Sequence, residues 1–216
     1  MFIGHFAVAF AGKKVAPKVS LGLMFLAAQF LDVLWPVFVL LGAEHFRIVS
    51  GITKVSPFDF YDFPMSHSLV MAVTWAIGFG LVYFIVKGDV KSSGVLSALV
   101  FSHWILDVIV HRPDLPLLPQ GPYWGLGLWN SRVGTLIVEF GLLAAGAWIY
   151  KKCTKPKDAT GDWVFYGLVF TLAAFYIISL VAPTPTKTFM VALSGIIVIW
   201  GFIAWGTWAD SLRKAA

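Results

Sequence analysis

Residues 94–112 read GVLSALVFSHWILDVIVHR, a segment that is apolar along most of its length yet carries two histidines and an aspartate. A transmembrane helix needs about 20 predominantly apolar residues, so this segment is long enough, or nearly so, to cross a bilayer. Helix is the expected structure, because backbone groups in hydrocarbon must form hydrogen bonds within their own segment. The segment therefore predicts a transmembrane helix with polar groups at membrane depth.

The rest of the chain has the same apolar character. Of its 216 residues, 59% are hydrophobic and 12% are charged, whereas a soluble domain is usually about a quarter charged. Five further segments are candidates to span, approximately over residues 19–42, 66–86, 131–150, 162–182 and 188–208. We predict an all-α integral membrane protein: a helical bundle of about six transmembrane helices in a single domain over residues 1–216. Residues 1–12, too short to span, are expected to form a half-helix or an interfacial segment.

Lysine and arginine are distributed unevenly between the predicted loops. Most of the 16 lie on the side that holds both chain ends, for example at Lys13, Lys14, Lys151 and Lys152. Cytoplasmic loops carry an excess of these residues, so this side is predicted to be cytoplasmic, apart from the short N-terminal segment. Because the net charge of +5 is explained by topology signals in loops, nucleic acid is not expected as a partner.

The strongest chemical signal lies in the opening segment. Spacing of four residues places His103, Asp107 and His111 on one face of the predicted helix. A histidine and a carboxylate one turn apart can bind one divalent metal ion. Each group is costly in hydrocarbon without a partner, which favours a metal site over three separate polar contacts in a bundle interior. We predict all three as ligands and Asp107 also as a catalytic residue.

A second polar group lies in the segment 19–42, where Asp32 follows Gln29 and precedes Pro36. An aspartate in mid-span is costly unless it is paired, protonated or bound to metal. Because Pro36 has no N–H, the carbonyl of Asp32 loses its helical partner, and a kink is expected beside the acid. We predict that Asp32 is a metal ligand and that Gln29 contacts the ligands. The alternative is a neutral acid hydrogen-bonded across the bundle.

The second full span opens with Ser66-His67-Ser68. Ser66 is predicted to be the N-cap, which would put His67 in the first helical turn, near the outer membrane surface. We predict that His67 is a metal ligand and a catalytic residue. The hydroxyls of Ser66 and Ser68 are expected to bind the imidazole or a substrate oxygen. The alternative is a plain helix cap beside an interfacial histidine.

Two further residues complete the set of candidates. His5 lies in the N-terminal apolar stretch and is predicted as a ligand because the other candidates need additional ligands. Glu139 lies within the segment 131–150 and is a functional candidate by its depth in the membrane. Two roles for Glu139 are open. It could contact the ligands or the substrate, or it could hold helices together.

Taken in order, Gly4-His5, Asp32, Ser66-His67-Ser68 and His103-x-x-x-Asp107 resemble a bacterial and archaeal family of membrane-bound metal-dependent hydrolases. That family includes the YdjM-like inner-membrane hydrolases and is distantly similar to the zinc-dependent phospholipase C and single-strand nuclease fold. The resemblance covers residues 1–112, which would be the metal-site part, with additional helices over 131–208. It implies a prokaryotic inner (cytoplasmic) membrane protein, and the lysine and arginine distribution puts the expected site towards its outer face.

The resemblance also implies a ligand arrangement. Asp32, His67, His103 and Asp107 would bind one zinc ion, and His5 and Asp107 would contribute to a second. Imidazoles and carboxylates suit zinc, with manganese or iron as alternatives.

Three functions are consistent with these residues. The first is a zinc-dependent membrane hydrolase that cleaves a lipid-linked ester or phosphoester with a metal-activated water as nucleophile. The second is a transporter or channel for a divalent metal or protons, since the same residue types mark such pathways. The third is a membrane scaffold with a structural metal. A membrane lipid or lipid-linked substrate is the expected partner, and a homo-oligomer stays an open alternative.

Overall fold

The computed structural model describes residues 1–216, and its dominant elements are α-helices. Their bounds are α1 Ile3–Gly12, α2 Leu21–Ala28, α3 Phe30–Leu40, α4 Pro64–His67, α5 Leu69–Lys87, α6 Val90–Val110, α7 Arg132–Cys153, α8 Ala159–Val181 and α9 Thr188–Ser211. The loops hold three antiparallel strand pairs, β1 His45–Ile48 with β2 Phe58–Asp62, β3 Leu115–Pro116 with β4 Tyr123–Trp124, and β5 Thr154–Pro156 with β6 Arg213–Ala215. A 3-10 turn, Leu128–Asn130, precedes α7.

Five helices, α5 to α9, are long and apolar enough to cross a membrane, and the total is six if the bent pair α2–α3 counts as one span. Large apolar side chains on their outer faces, such as Ile77, Ile85 and Phe170, are exposed, as expected for surfaces that face lipid. The chain is therefore an all-α membrane protein. The prediction of a bundle of about six spans is confirmed.

The helix α1 lies inside the bundle, packed against α2, α6 and α7. Its side chains Ile3, Phe6 and Phe10 are fully buried. The close approach to α7 depends on Gly146, where an added Cβ would lie 2.2 Å from the carbonyl oxygen of Ala7. Of the two placements expected for residues 1–12, the half-helix is confirmed and the interfacial segment is wrong, because α1 is enclosed by other helices.

The span α2–α3 bends by 57° beside Asp32. The bend lies at Gln29, whose backbone (φ −99°, ψ 7°) is not helical, and α3 then continues through Pro36. The kink predicted beside Asp32 is therefore present, although it forms at Gln29 while the helix continues through Pro36. The new helix begins with Asp32 in its first turn, which aims the carboxylate from a helix end towards the bundle interior.

Two long loops, over residues 43–65 and 113–130, meet at one end of the bundle. The Lys54 N–H donates to the Trp129 carbonyl (3.1 Å), and Arg132 Nε donates to the Lys54 carbonyl (2.8 Å). Both loops therefore lie on the same side of the bundle.

The opposite end is closed by buried ion pairs. Lys13 Nζ lies 2.6 Å from Asp210 Oδ2, and the Tyr150 hydroxyl donates to Asp210 Oδ1 (2.8 Å). Arg213 is buried as well, and pairs with Asp162 at 2.8 Å.

Candidate metal centre

Five predicted ligands converge in the bundle interior, from four helices. His5 comes from α1, Asp32 from α3, His67 from α4, and His103 and Asp107 from α6. They form two groups that share His103: one has His5 and Asp107, and the other has Asp32 and His67. Within each group the candidate ligand atoms all lie within 4.8 Å of one another. Residues distant in sequence are therefore close enough to bind a common ion.

The Asp107 carboxylate lies between the histidines. Its Oδ1 is 3.1 Å from His5 Nε2, and its Oδ2 is 3.2 Å from His103 Nε2 and 3.7 Å from His67 Nε2. Asp32 Oδ1 faces His67 Nε2 at 3.5 Å and His103 Nε2 at 3.7 Å. With one oxygen directed to each group, Asp107 is placed as a carboxylate that could bridge two ions.

The chemistry of these donors fits a metal ion. His5 and His103 are fully buried, and His103 Nε2 has no hydrogen-bond partner. A buried polar atom without a partner costs free energy, and a bound cation would remove that cost. Three imidazoles and two carboxylates suit zinc, with manganese or iron as alternatives. The side chain of Asp32 is 27% exposed, so this position is open to an incoming molecule.

The orientation of His103 is set by the backbone at the end of α2. Its Nδ1 lies 2.8 Å from the carbonyl oxygen of Ala28. A carbonyl can only accept, so Nδ1 carries the proton and Nε2 presents its lone pair to the carboxylates. The imidazole ring of His5 stacks on that of His103, with centroids 3.7 Å apart. The local fold thus holds both rings with their Nε2 atoms near Asp107.

His67 is oriented by a buried polar chain that the sequence analysis missed. Ser66 Oγ lies 2.7 Å from His67 Nδ1 and donates to Glu44 Oε2 (2.6 Å), while the Ser66 N–H donates to Glu44 Oε1 (2.7 Å). Burial raises the pKa of the Glu44 carboxyl, and the two Ser66 donors oppose that shift. Ser66 is therefore not the helix N-cap. Ser68 has that role and accepts from the Met71 N–H.

Glu139 and Gln29 both contact the start of α1. Glu139 is fully buried and accepts from the Phe2 N–H (3.0 Å) and the Gly4 N–H (2.8 Å). Gln29 Nε2 donates to the Phe2 carbonyl at 3.5 Å. The nitrogen of Met1 contacts Asp107 directly. Glu139 thus satisfies N–H groups that a helix leaves free at its first turn, and it holds the helix that carries His5.

His111 lies outside both ligand groups. The helix ends at Val110, the His111 N–H still donates to the Asp107 carbonyl (2.8 Å), and the backbone becomes extended after that. Its Nδ1 lies 2.9 Å from Asp114 Oδ1, and its ring packs on Trp129 with centroids 4.4 Å apart. A role for His111 as a metal ligand stays a prediction.

A cavity of about 1160 Å³ opens onto the centre. Asp32, His67 and Asp107 line its inner end. Its walls include apolar side chains of α8 and α9, among them Phe175, Leu180, Met190, Val198 and Ile199, and two cations, Lys54 and Arg132, also line it. Its chemistry suits an amphipathic molecule whose polar end meets the carboxylates.

The cluster is open on one side. One candidate ligand is partly exposed, three candidate ligands line a cavity, and one carboxylate lies between the histidines. Comparison of the chain with protein-family models, with curated proteins and with solved structures found no match.

Proposed function

We propose that the chain is a metal-dependent membrane hydrolase that cleaves an ester or phosphoester bond in a lipid-linked substrate. The observation that carries this proposal is the convergence of five ligand-type side chains at the inner end of an amphipathic cavity. The proposed metal is zinc. One or two zinc ions would be bound by His5, Asp32, His67, His103 and Asp107.

The chain's own groups divide into two sets by their access to the cavity. Asp32, His67 and Asp107 line it, whereas His5 and His103 are fully buried behind them. A bound zinc ion would supply Lewis-acid polarisation of the substrate and lower the pKa of water to about 7. Asp32, the most exposed of the five, can accept a proton from an attacking water. Asp107 and His67, as candidate ligands that line the cavity, would hold the metal ion where the substrate can reach it.

The cavity walls support a lipid-linked substrate. Phe175, Leu180 and Ile199 offer an apolar surface along α8 and α9, two of the helices that are long and apolar enough to span a membrane. Lys54 and Arg132 form no ion pair with a carboxylate, so their charge is free to attract an anionic group such as a phosphate. Because the lysine-rich loops indicate a cytoplasmic face at the other end, we propose an active site towards the outer face of a prokaryotic inner membrane.

Transport of metal ions or protons is the competing function. A pathway needs polar groups through the full membrane depth, whereas these ligands form one cluster at the inner end of one cavity. The opposite end of the bundle holds the buried pair Lys13–Asp210. This distribution favours hydrolysis over transport.

The first test is metal analysis of detergent-purified protein. Wild type should hold one or two zinc ions per chain, and His103→Ala and Asp107→Ala should lose them. His45→Ala is the matched control, because His45 is exposed and pairs with Asp62 away from the centre. Wild type and variants are then assayed on lipid phosphoesters in mixed micelles. Absence of bound metal in wild type after zinc loading would overturn the proposal.

A further inference from the structure

We propose that Glu44 is a positioning residue for the metal centre: acting through Ser66, it fixes the His67 tautomer that presents Nε2 as a ligand. This inference rests on the proposed function for the metal, but it concerns hydrogen bonds that exist without one. No spacing rule links Glu44 to His67, and Glu44 never contacts the cavity.

The contacts form a continuous chain in a buried setting. Glu44 and Ser66 are fully buried, and His67 is 4% exposed. Both carboxylate oxygens of Glu44 accept from the same residue, one from the Ser66 backbone N–H at 2.7 Å and one from its hydroxyl at 2.6 Å. The Ser66 hydroxyl then lies 2.7 Å from His67 Nδ1. Water does not compete for these groups, so the direction of each hydrogen bond is set within the protein.

The number of protons determines that direction. A serine hydroxyl has one proton, and an ionised carboxylate can only accept, so Ser66 donates to Glu44. The hydroxyl oxygen must then accept from His67, which places the imidazole proton on Nδ1. Nε2 is left with its lone pair, and it faces Asp32 Oδ1 and Asp107 Oδ2. This is the tautomer that metal ligation at Nε2 requires.

A second histidine supports the same logic. His103 Nδ1 is held by the Ala28 carbonyl, a group that forces the proton onto Nδ1 in the same way. In their neutral forms, both imidazoles therefore direct an unprotonated Nε2 at Asp32. His103 uses a backbone carbonyl from the adjacent helix end, whereas His67 lies in a one-turn helix, α4, and uses a carboxylate carried by the loop after α3.

Replacing Glu44 by glutamine should reverse the direction of the hydrogen bonds from residue 44 through Ser66 to His67, because glutamine has the same shape but carries an NH₂ donor. The amide oxygen would accept from the Ser66 N–H, and the NH₂ group would then donate to the Ser66 hydroxyl oxygen. The hydroxyl proton would turn to His67 Nδ1, which moves the imidazole proton to Nε2. That tautomer cannot bind a metal ion at Nε2.

The experiment compares wild type, Glu44→Gln and Asp62→Asn in detergent, with ¹⁵N-labelled histidine and zinc titration. The His67 signals are assigned by their loss in His67→Gln. In metal-free protein, at a pH where the His67 imidazole is neutral, we expect the proton on Nδ1 in wild type and on Nε2 in Glu44→Gln. Zinc affinity should fall about 10- to 100-fold in Glu44→Gln, the typical cost of losing a group that orients a ligand. Asp62→Asn removes one charge from the same loop without removing a partner of Ser66, because Asp62 is 41% exposed and pairs with His45, and it should change neither property.

Ser66→Ala is the second variant, in case Glu44→Gln does not fold. It keeps the charge of Glu44 but removes the hydroxyl that links Glu44 to His67. His67 should therefore show a mixture of tautomers, and zinc binding should be weaker. A wild-type His67 with its proton on Nε2, or a Glu44→Gln protein with unchanged tautomer and affinity, would overturn the role of Glu44. Wild type that binds no zinc overturns the proposed function instead, and the His67 tautomer still decides the role of Glu44.

Discussion

At the scale of single residues, Asp107 contacts members of both ligand groups, because Oδ1 faces His5 and Oδ2 faces His67 as well as His103. Asp107→Asn replaces one oxygen by a donor and removes the charge, so we expect loss of all bound zinc. His5→Gln should remove only the ion held by the group that contains His5. Zinc per chain, measured by elemental analysis, checks this difference. Equal zinc content in wild type and His5→Gln would show that this group holds no ion.

Glu139 gives a second prediction at this scale. In Glu139→Gln only one amide oxygen remains, so either the Phe2 N–H or the Gly4 N–H loses its acceptor in a buried setting. A buried unsatisfied donor costs about 1–3 kcal/mol, and we expect a lower thermal unfolding midpoint and weaker zinc binding.

The control for this variant is Asp62→Asn. Asp62 and its partner His45 are 41% and 51% exposed, so water can replace the lost interaction and the midpoint should change little. Metal flux in proteoliposomes, abolished by Glu139→Gln but retained in the control, would instead favour the transport hypothesis.

The residues that could be predicted from the sequence are polar side chains within an apolar segment, because burying such a group in a membrane costs free energy wherever its partners lie. His103 and Asp107 share a helix face through spacing alone, and Asp32 is an acid in mid-span. Glu44 could not be found, because its partner is 22 residues away and it reads as an ordinary loop acid. The end of α6 has a local signal that was overlooked: Pro113 disfavours helix at the residue before it, and α6 ends at Val110.

At the scale of elements, the contact between α1 and α7 determines where His5 lies. Gly146→Ala would bring a Cβ to 2.2 Å from the Ala7 carbonyl, so α1 must move away from α7. We expect lower thermal stability together with weaker zinc binding. Gly141→Ala is the matched control on the same helix, because nothing lies within 4 Å of its added Cβ. Equal behaviour of the two variants would contradict the role assigned to this close approach.

The elements themselves were predictable from length and apolar character, since a span has to satisfy its own backbone. The bend at Gln29 was not, because glutamine carries no helix-breaking signal and the break depends on neighbours. Gln29 is fully buried and reaches the Phe2 carbonyl of α1. The inward position of α1 is likewise a property of the assembled bundle, and ten apolar residues are equally consistent with an interfacial helix.

At the scale of the whole molecule, the cavity joins the centre to the apolar surface of α8 and α9. Leu180→Trp should narrow this wall, and we expect slower hydrolysis of long-chain lipid esters with unchanged zinc content. Activity on a short, soluble ester should be retained, because it does not need the wall. Ile178→Trp, on the exposed face of the same helix and outside the cavity, serves as the control. Equal loss on both substrate lengths would contradict a lipid-binding role of the wall.

The attachment of α1 to Glu139 also bears on how the protein is made. All five candidate ligands precede residue 108, yet the N–H groups at the start of α1 find their acceptor only on α7. During synthesis, the helices α1 to α6 can enter the membrane while α1 still lacks this acceptor. The centre therefore becomes complete only after residue 139 has been translated and inserted, which makes its assembly a late event in the biogenesis of the bundle.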